Sequence, residues 1–230
     1  MRISVIIPAL NEQREIAGAV TSAWQAAVDE VIVADGGSTD PTRDLAEDGG
    51  ARTIVSEPGR ARQQNAGARV ARGDVLLFLH ADNRLVPGCG DQVRRAFVRP
   101  QIMAAAFRQR IAAVGWGFRM LEWGNALRVC WLGTPYGDQG LCLRREVFER
   151  VGGFPEVELL EDLLIMRTVR RVGWPVLLPG PLHVSARRWQ RHGVVWQTIR
   201  NWWLVAAFQC GRTPAELARH YRRHDDGTTC

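Results

Sequence analysis

FLHADNRL, residues 78–85, carries a buried-looking run into an abrupt polar end. Val75 to Leu79 is short and apolar, as in a strand covered on both faces. His80-Ala81-Asp82-Asn83 then stops it. An imidazole and a carboxylate two residues apart point the same way in extended backbone. Such an end is either a polar turn or a pair of ligands aimed at one small site.

The segments on either side repeat the pattern. Ile3 to Ile7 reads as a β-branched strand that Pro8 stops. Ile16, Val20, Ala23, Trp24 and Ala27 then recur at a helical period on one face. Val31 to Ala34 is a second buried strand, ending in Asp35-Gly36-Gly37-Ser38-Thr39-Asp40-Pro41. Asp40 before Pro41 places a cap and a first helical position in order, and Gly49-Gly50 closes that helix. Thr53 to Val55 is a third strand and Arg60 to Ala71 a helix. Strands alternating with helices predict an α/β fold with a mostly parallel open sheet. Ligands in such sheets sit beyond the carboxyl ends of the strands. Asn11-Glu12, Asp35 and His80 with Asp82 all stand at such ends, so one shared site accounts for them better than three unrelated turns.

The second half is less regular. Met103 to Phe107 predicts a strand. Trp116 to Trp131 predicts a helix with Met120, Trp123, Leu127 and Cys130 on one face. Leu141 to Leu143 predicts a short strand after Gly137-Asp138-Gln139-Gly140. Glu161 to Val172 predicts a helix with Ile165, Val169 and Val172 inward. Val195, Ile199, Trp202, Trp203 and Ala206 mark a strong helix, and Thr213 to Arg223 a short terminal one.

The totals exclude several classes. The 230 residues are 46% hydrophobic and 23% charged, which fits a globular domain and not a disordered or collagen-like chain. The net charge is +6, and all 30 basic Lys or Arg residues are Arg. An Arg-rich chain suits phosphate-bearing small molecules, anionic lipid or nucleic acid. The five cysteines (Cys89, Cys130, Cys142, Cys210 and Cys230) form no C-x-x-C pair. That argues against a disulfide framework or structural zinc and for a reducing, cytoplasmic setting. Ile3 to Ile7 is short for a signal peptide, and no apolar run has the length of a membrane span.

The chemistry-bearing candidates each have a plainer alternative. The turn after the first strand has no glycine, which excludes a dinucleotide fingerprint, and the absence of Lys excludes a P-loop. Asp35 can accept from a base edge or ribose hydroxyl while Gly36-Gly37 lets backbone approach; otherwise it is an Asp-Gly turn. Arg60, Arg62 and Asn65 begin a helix whose N-terminus favours phosphate, or form a solvated basic face. Asp82 can hold a hard divalent ion on a diphosphate, and the imidazole of His80 suits manganese better than magnesium. His80 can equally be a satisfied core histidine. Glu161-Asp162 sits in an apolar run, where one acid can serve as a general base or merely cap the helix. Arg187-Arg188-Trp189 can hold phosphate oxygens with a stacking indole, or be a basic surface turn. Trp196, Trp202 and Trp203 read first as core and second as an interfacial membrane face.

SVIIPALNE (4–12), VIVADGGSTD (31–40), GRARQQNAG (59–67), FLHAD (78–82), GDQG (137–140), GGFPEVELLED (152–162) and ARRW (186–189) occur in the order seen in inverting family 2 glycosyltransferases of the GT-A fold, which the chain resembles over about residues 3 to 190. It is most similar to a short bacterial branch with His-Ala-Asp, whose members are labelled arsenosugar-biosynthesis-like or diaponeurosporenoate-type glycosyltransferases. The resemblance implies a GT-A domain over 1–190, its donor half 1–100 and acceptor half 101–190, with a helical extension over 191–230 packed on it. It implies a UDP- or GDP-sugar donor, a Mn or Mg ion, and a small-molecule or lipid acceptor offering a hydroxyl or carboxylate. Pro8, Leu10 and Glu12 would line the nucleotide pocket, Asp35 would meet the base or ribose, and Arg62 and Asn65 would lie along the donor. Asp82 would be the metal acid with His80 in place of a second acid, Asp162 the base, and Arg188 with Trp189 the end of the last motif. That motif's Gln is replaced by Ser185, which speaks against processive synthesis. Nucleic acid is not an expected partner. A non-catalytic nucleotide-sugar binder, a peripheral enzyme at the inner membrane face acting on a lipid, polyprenyl-phosphate or carotenoid-acid acceptor, and a homodimer remain open.

Overall fold

The computed structural model describes residues 1–187, 189 and 193–225. Eight strands form one sheet: β1 (Ile3–Ala9), β2 (Glu30–Asp35), β3 (Arg52–Val55), β4 (Val75–Phe78), β5 (Asn83–Leu85), β6 (Ala104–Ile111), β7 (Leu141–Arg144) and β8 (Val176–Val184). Their order is β3-β2-β1-β4-β7-β6-β8-β5. The β1–β2, β1–β4, β2–β3 and β6–β8 pairs are parallel, and the β4–β7, β6–β7 and β5–β8 pairs antiparallel. The four strands read from the first third of the sequence therefore form the parallel half, with their carboxyl ends along one edge.

β1 does not stop at Pro8. Ile6 O accepts the Leu79 N–H and Ala9 O accepts the Gly36 N–H, so Ile6 and Pro8 face the β4 side while Ala9 faces β2. The β1–β4 register ends at Ile6–Phe78. Proline's missing N–H therefore falls where the ladder has already ended, and its presence in an inner strand costs no sheet bond.

The sheet is covered on both faces. Ile3, Val5 and Ile7 pack with α1 (Ile16–Gln25) and α4 (Cys89–Phe97), while Ile6, Ile32 and Phe78 pack with α3 (Arg60–Val70), α6 (Arg145–Arg150) and α7 (Glu161–Val169). A Cβ on Gly67 would stand 2.5 Å from Ile6 Cγ2, so this glycine sets how closely α3 lies on β1. Phe78, Phe148 and Phe154 form an aromatic cluster with ring centroids 4.8–5.7 Å apart. Each buried ring of this kind stabilises the fold by about 1.5–3 kcal/mol, and the cluster ties the loop 152–154 to the strand that delivers His80. The remaining helices are α2 (Thr42–Asp48), α5 (Trp116–Leu132), α8 (Val194–Gln209) and α9 (Pro214–Asp225).

Several sequence expectations need correction. Trp24 is not on the inward face of α1; it is exposed and donates to Gly49 O at 3.1 Å. α2 begins at Thr42, and Asp40 accepts the Thr42 N–H at 3.0 Å. The predicted face of α5 is real but turned to solvent: Met120 and Trp123 are exposed, and Glu122, Ala126 and Val129 are the buried residues. α7 ends at Val169, leaving Val172 exposed. Trp196, Trp202 and Trp203 are not core; among the described side chains of α8 it is Leu204 that is buried. Val195's side chain lies outside the described residues. β5, β8, α4 and α6 had no counterpart in the sequence reading. α8 meets α7 where Arg167 lies 4.6 Å over the Phe208 ring. Among the described residues no helix is long and apolar enough to cross a membrane, and Cys89, Cys130, Cys142 and Cys210 are free thiols.

Candidate active site

Two loops at the carboxyl edge of the sheet are built as one unit. Asn11, at φ 54°, adopts a left-handed turn that Asn tolerates. Its N–H reaches Ser38 Oγ at 2.9 Å, and its Oδ1 accepts the Thr39 N–H at 2.9 Å. Glu12 N donates to Thr42 Oγ1 at 2.8 Å. Asp35 is only 1% exposed, and its carboxylate accepts the Gly37 and Ser38 amides at 3.1 and 3.0 Å. The acid thus shapes its own Gly-Gly loop. Gln63, buried on α3, donates to both Ala9 O and Ala34 O at 2.7 and 2.9 Å, clamping the ends of β1 and β2.

Beyond these ends lies a cleft of about 490 Å³. Pro8, Leu10, Glu12, His80 and Asp82 line it, and with Arg60 and Arg187 they bring seven of the residues singled out from sequence into one place. Arg60, Gln63, Glu158 and Arg187 complete its polar wall. Other predicted residues lie off the wall. Arg62 pairs with Glu57 at 2.6 Å and Glu156 at 3.3 Å. Asn65 spends its amide on both backbone groups of Phe154, at 2.8 and 2.9 Å. Trp189 packs against the hydrophobic core. Arg188 lies outside the described residues.

Asp162 reaches the site through the loop 136–139. Leu160, at φ 68° and ψ 22°, turns the chain into α7 in the left-handed region, a costly conformation for a leucine. Asp162 Oδ2 then accepts the Gly137 N–H at 2.6 Å, and its Oδ1 accepts the Leu163 N–H at 2.7 Å. The Gly137 Cβ position would be 2.9 Å from His80 Nε2 and 3.5 Å from Asp162 Oδ2. Base candidate and imidazole therefore converge on one glycine, where a side chain would crowd the imidazole and sit in contact with the carboxylate. Asn83 and Gln109 hold the loop from below, donating to Asp138 O at 3.0 and 3.2 Å. Arg128 completes it, 3.4 Å over the Tyr136 ring and 2.9 Å from Gln139 Oε1. Burial pulls the Arg128 pKa below the usual arginine value, while Tyr136, Asp138 and Asp162 act to restore it. Sequence reasoning missed Gln63, Asn83, Gln109 and Arg128. Arg128 alone was signalled by polar character in an apolar run; Gln63, Asn83 and Gln109 stand among other polar residues and nothing in the sequence set them apart.

Glu161 takes a different part from its neighbour. It is 3% exposed and pairs with Arg60 at 3.2 Å. Burial pushes its pKa above the ordinary 4.5, against the pull of Arg60, and the Asp162 charge adds to the rise. A carboxyl that holds its proton more tightly folded than unfolded makes stability fall as pH climbs from the unfolded value through the raised one. Glu161→Gln removes that dependence. Whatever constant cost follows from losing the Arg60 pair, the variant's Tm relative to wild type is expected to rise between acid and neutral pH. Parallel thermal melts across that window check it; a difference that stays flat would place the ionisation of Glu161 elsewhere.

Among the described residues no group of three or more His, Cys, Asp or Glu could enclose a metal. Magnesium-type ions are commonly held by one or two carboxylates with substrate phosphates and water filling the remaining positions. Asp82 and His80 on one cleft wall fit an ion shared with a diphosphate and do not form an all-protein cage.

The model of the family described as glycosyl transferase family 2 matches residues 4–154. Glucosyl-3-phosphoglycerate synthase of Mycobacterium tuberculosis is 29% identical over 140 residues, which are 50% of this chain and 43% of that protein. The chain thus spans less than half the length of this curated relative. Its crystal structure with Mn2+, uridine diphosphate and glucosyl-3-phosphoglycerate superposes with a TM-score of 0.56 at 25% identity, covering 77% of this chain and 70% of that one. Staphylococcus aureus TarS in complex with UDP-GlcNAc gives a TM-score of 0.62 at 19% identity, over 80% of this chain and 58% of that one, a likeness of fold. The mixed sheet with its helices has the architecture of GT-A glycosyltransferases. With the match running from β1 through the Phe154 loop, the chain belongs to glycosyl transferase family 2.

Proposed function

We propose that the protein transfers a sugar from a nucleotide-diphosphate donor to an acceptor oxygen in a single displacement that inverts the anomeric carbon. The observation that carries this reading is the convergence of the strand-end cleft, His80 and Asp162 around Gly137. The loops 8–12 and 35–38 receive the nucleoside, with Asp35 ordering the amides that face it. Arg60 and the first turn of α3 receive the diphosphate, where unpaired N–H groups and the helix dipole favour anions. Asp82 and His80 would hold a Mn2+ or Mg2+ ion, whose chemistry when bound is to neutralise charge on the departing diphosphate. Asp162 takes the proton of the acceptor hydroxyl as its oxygen bonds to the anomeric carbon and the bond to the diphosphate breaks. Residues 1–100 then form the donor half and 101–190 the acceptor half. The uridine diphosphate and Mn2+ held by the mycobacterial synthase support a UDP-sugar as donor.

The test is a panel of UDP- and GDP-sugars, read by calorimetric binding and by release of the nucleoside diphosphate with Mn2+ or Mg2+. One donor is expected to bind and turn over. Binding without turnover, with every acceptor class tried, would make the chain a nucleotide-sugar sensor. The solvent-facing apolar row of α5 favours an acceptor borne by a membrane, such as a lipid, polyprenyl phosphate or carotenoid acid of the kind suggested by the His-Ala-Asp branch.

A further inference from the structure

α5 holds an apolar row on its solvent side. Trp116, Trp123 and Trp131 are 77%, 65% and 76% exposed, with Met120 between them and Val114 fully out just before the helix. Over 17 residues the row runs about 25 Å. Beside Trp123 opens a second cleft, of about 580 Å³, walled by Arg108, Arg110, Arg119, Glu122 and His183. Glu122 is the one acid against three arginines. It is already engaged by the Ile111 amide at 2.6 Å and Arg119 at 3.0 Å, with Arg110 at 3.6 Å. Arg108 is exposed and makes no ion pair among the described residues. The cleft therefore keeps a net positive charge next to a row of indoles.

We propose that this face docks on an anionic phospholipid bilayer, with the indoles and Met120 at the headgroup–acyl boundary and lipid phosphate in the arginine cleft. Tryptophan favours that boundary because its ring is apolar and its N–H polar. The planar guanidinium forks of Arg match phosphate oxygens. A second copy of the chain is a poorer occupant. A two-fold contact would set each arginine cleft against the like-charged surface of its twin. Gln109, between Arg108 and Arg110, donates to Asp138 O, so the cleft is one strand away from the loop that carries Gly137. The inference deepens, and rests on, the membrane-borne acceptor reading, and gives it a surface.

The test is co-sedimentation of the full chain with phosphatidylcholine vesicles, with and without phosphatidylglycerol. Wild type is expected to bind the anionic vesicles and to be released by salt. Arg108→Gln with Arg110→Gln should lower partitioning by about tenfold or more, and Trp116→Ser with Trp123→Ser should abolish it, each with an unchanged circular dichroism spectrum. Wild type that stays in the supernatant overturns the proposal. So does a dimer in sedimentation equilibrium that Trp123→Ser dissolves, or binding that survives both double variants. Donor turnover is measured in parallel with soluble acceptors and with lipid acceptors dispersed in detergent. Turnover with no vesicle binding refutes the docking alone, and vesicle binding with no turnover refutes the transfer reading alone.

Discussion

Asp162→Asn is expected to cut sugar transfer by about 10²–10⁴-fold while donor affinity stays close to wild type. The carboxylate is held at both oxygens, by the Gly137 and Leu163 amides at 2.6 and 2.7 Å. It is thus aimed by the backbone and free to receive a proton on its remaining lone pairs. Asn keeps one acceptor oxygen and turns an NH2 group toward the other amide. The mismatch costs about 1–3 kcal/mol, so the Tm of the variant should fall without loss of the fold. The decisive comparison is calorimetric donor affinity beside transfer rate, on protein shown to be folded. A collapse of both together would make Asp162 a donor-binding residue and remove it as the base.

What could be read from sequence follows from which interactions are local. The parallel strands and their polar ends were legible because a buried strand needs a continuous apolar run and must stop where it meets solvent or ligand. The cleft formed by Pro8, Leu10, Glu12, His80 and Asp82 follows directly from those ends. The face of α5 shows the limit. Its period gave the apolar row, but not which side meets the core. The inward side is partly polar because its neighbours offer unpaired backbone groups: Glu122 takes the Ile111 N–H, and Arg119 donates to Ile111 O and Ala113 O. No periodicity reports such long-range needs. Asn65 teaches the same lesson. The family resemblance placed it along the donor, whereas its amide ties the Phe154 loop to α3. Asp35 sits between these cases, predicted at the right strand end and then found to act on its own loop amides.

Asp82→Ala is expected to weaken Mn2+-dependent donor binding by at least 10–100-fold, the loss that even supporting partners of a metal ligand produce. Asp82 is the one carboxylate lining the cleft beside His80 on the strand end of β4, and the described residues offer no enclosed cluster to take over an ion. Without it, the end of β4 would offer the ion only an imidazole, a weak choice for a hard cation. Calorimetric titration of the donor, with Mn2+ and with chelator, separates the roles. With chelator, wild type and variant should bind alike; with Mn2+, only wild type should tighten. A variant that tightens as wild type does would move the ion away from this strand end. His80→Ala sharpens the same experiment, since imidazole suits Mn2+ better than Mg2+. If His80 is a ligand, its loss should narrow the gap between the two ions while leaving a metal dependence that Asp82 still supplies. If His80 only fills space against Gly137, 2.9 Å from where a Cβ would stand, the Mn2+ to Mg2+ ratio should not move.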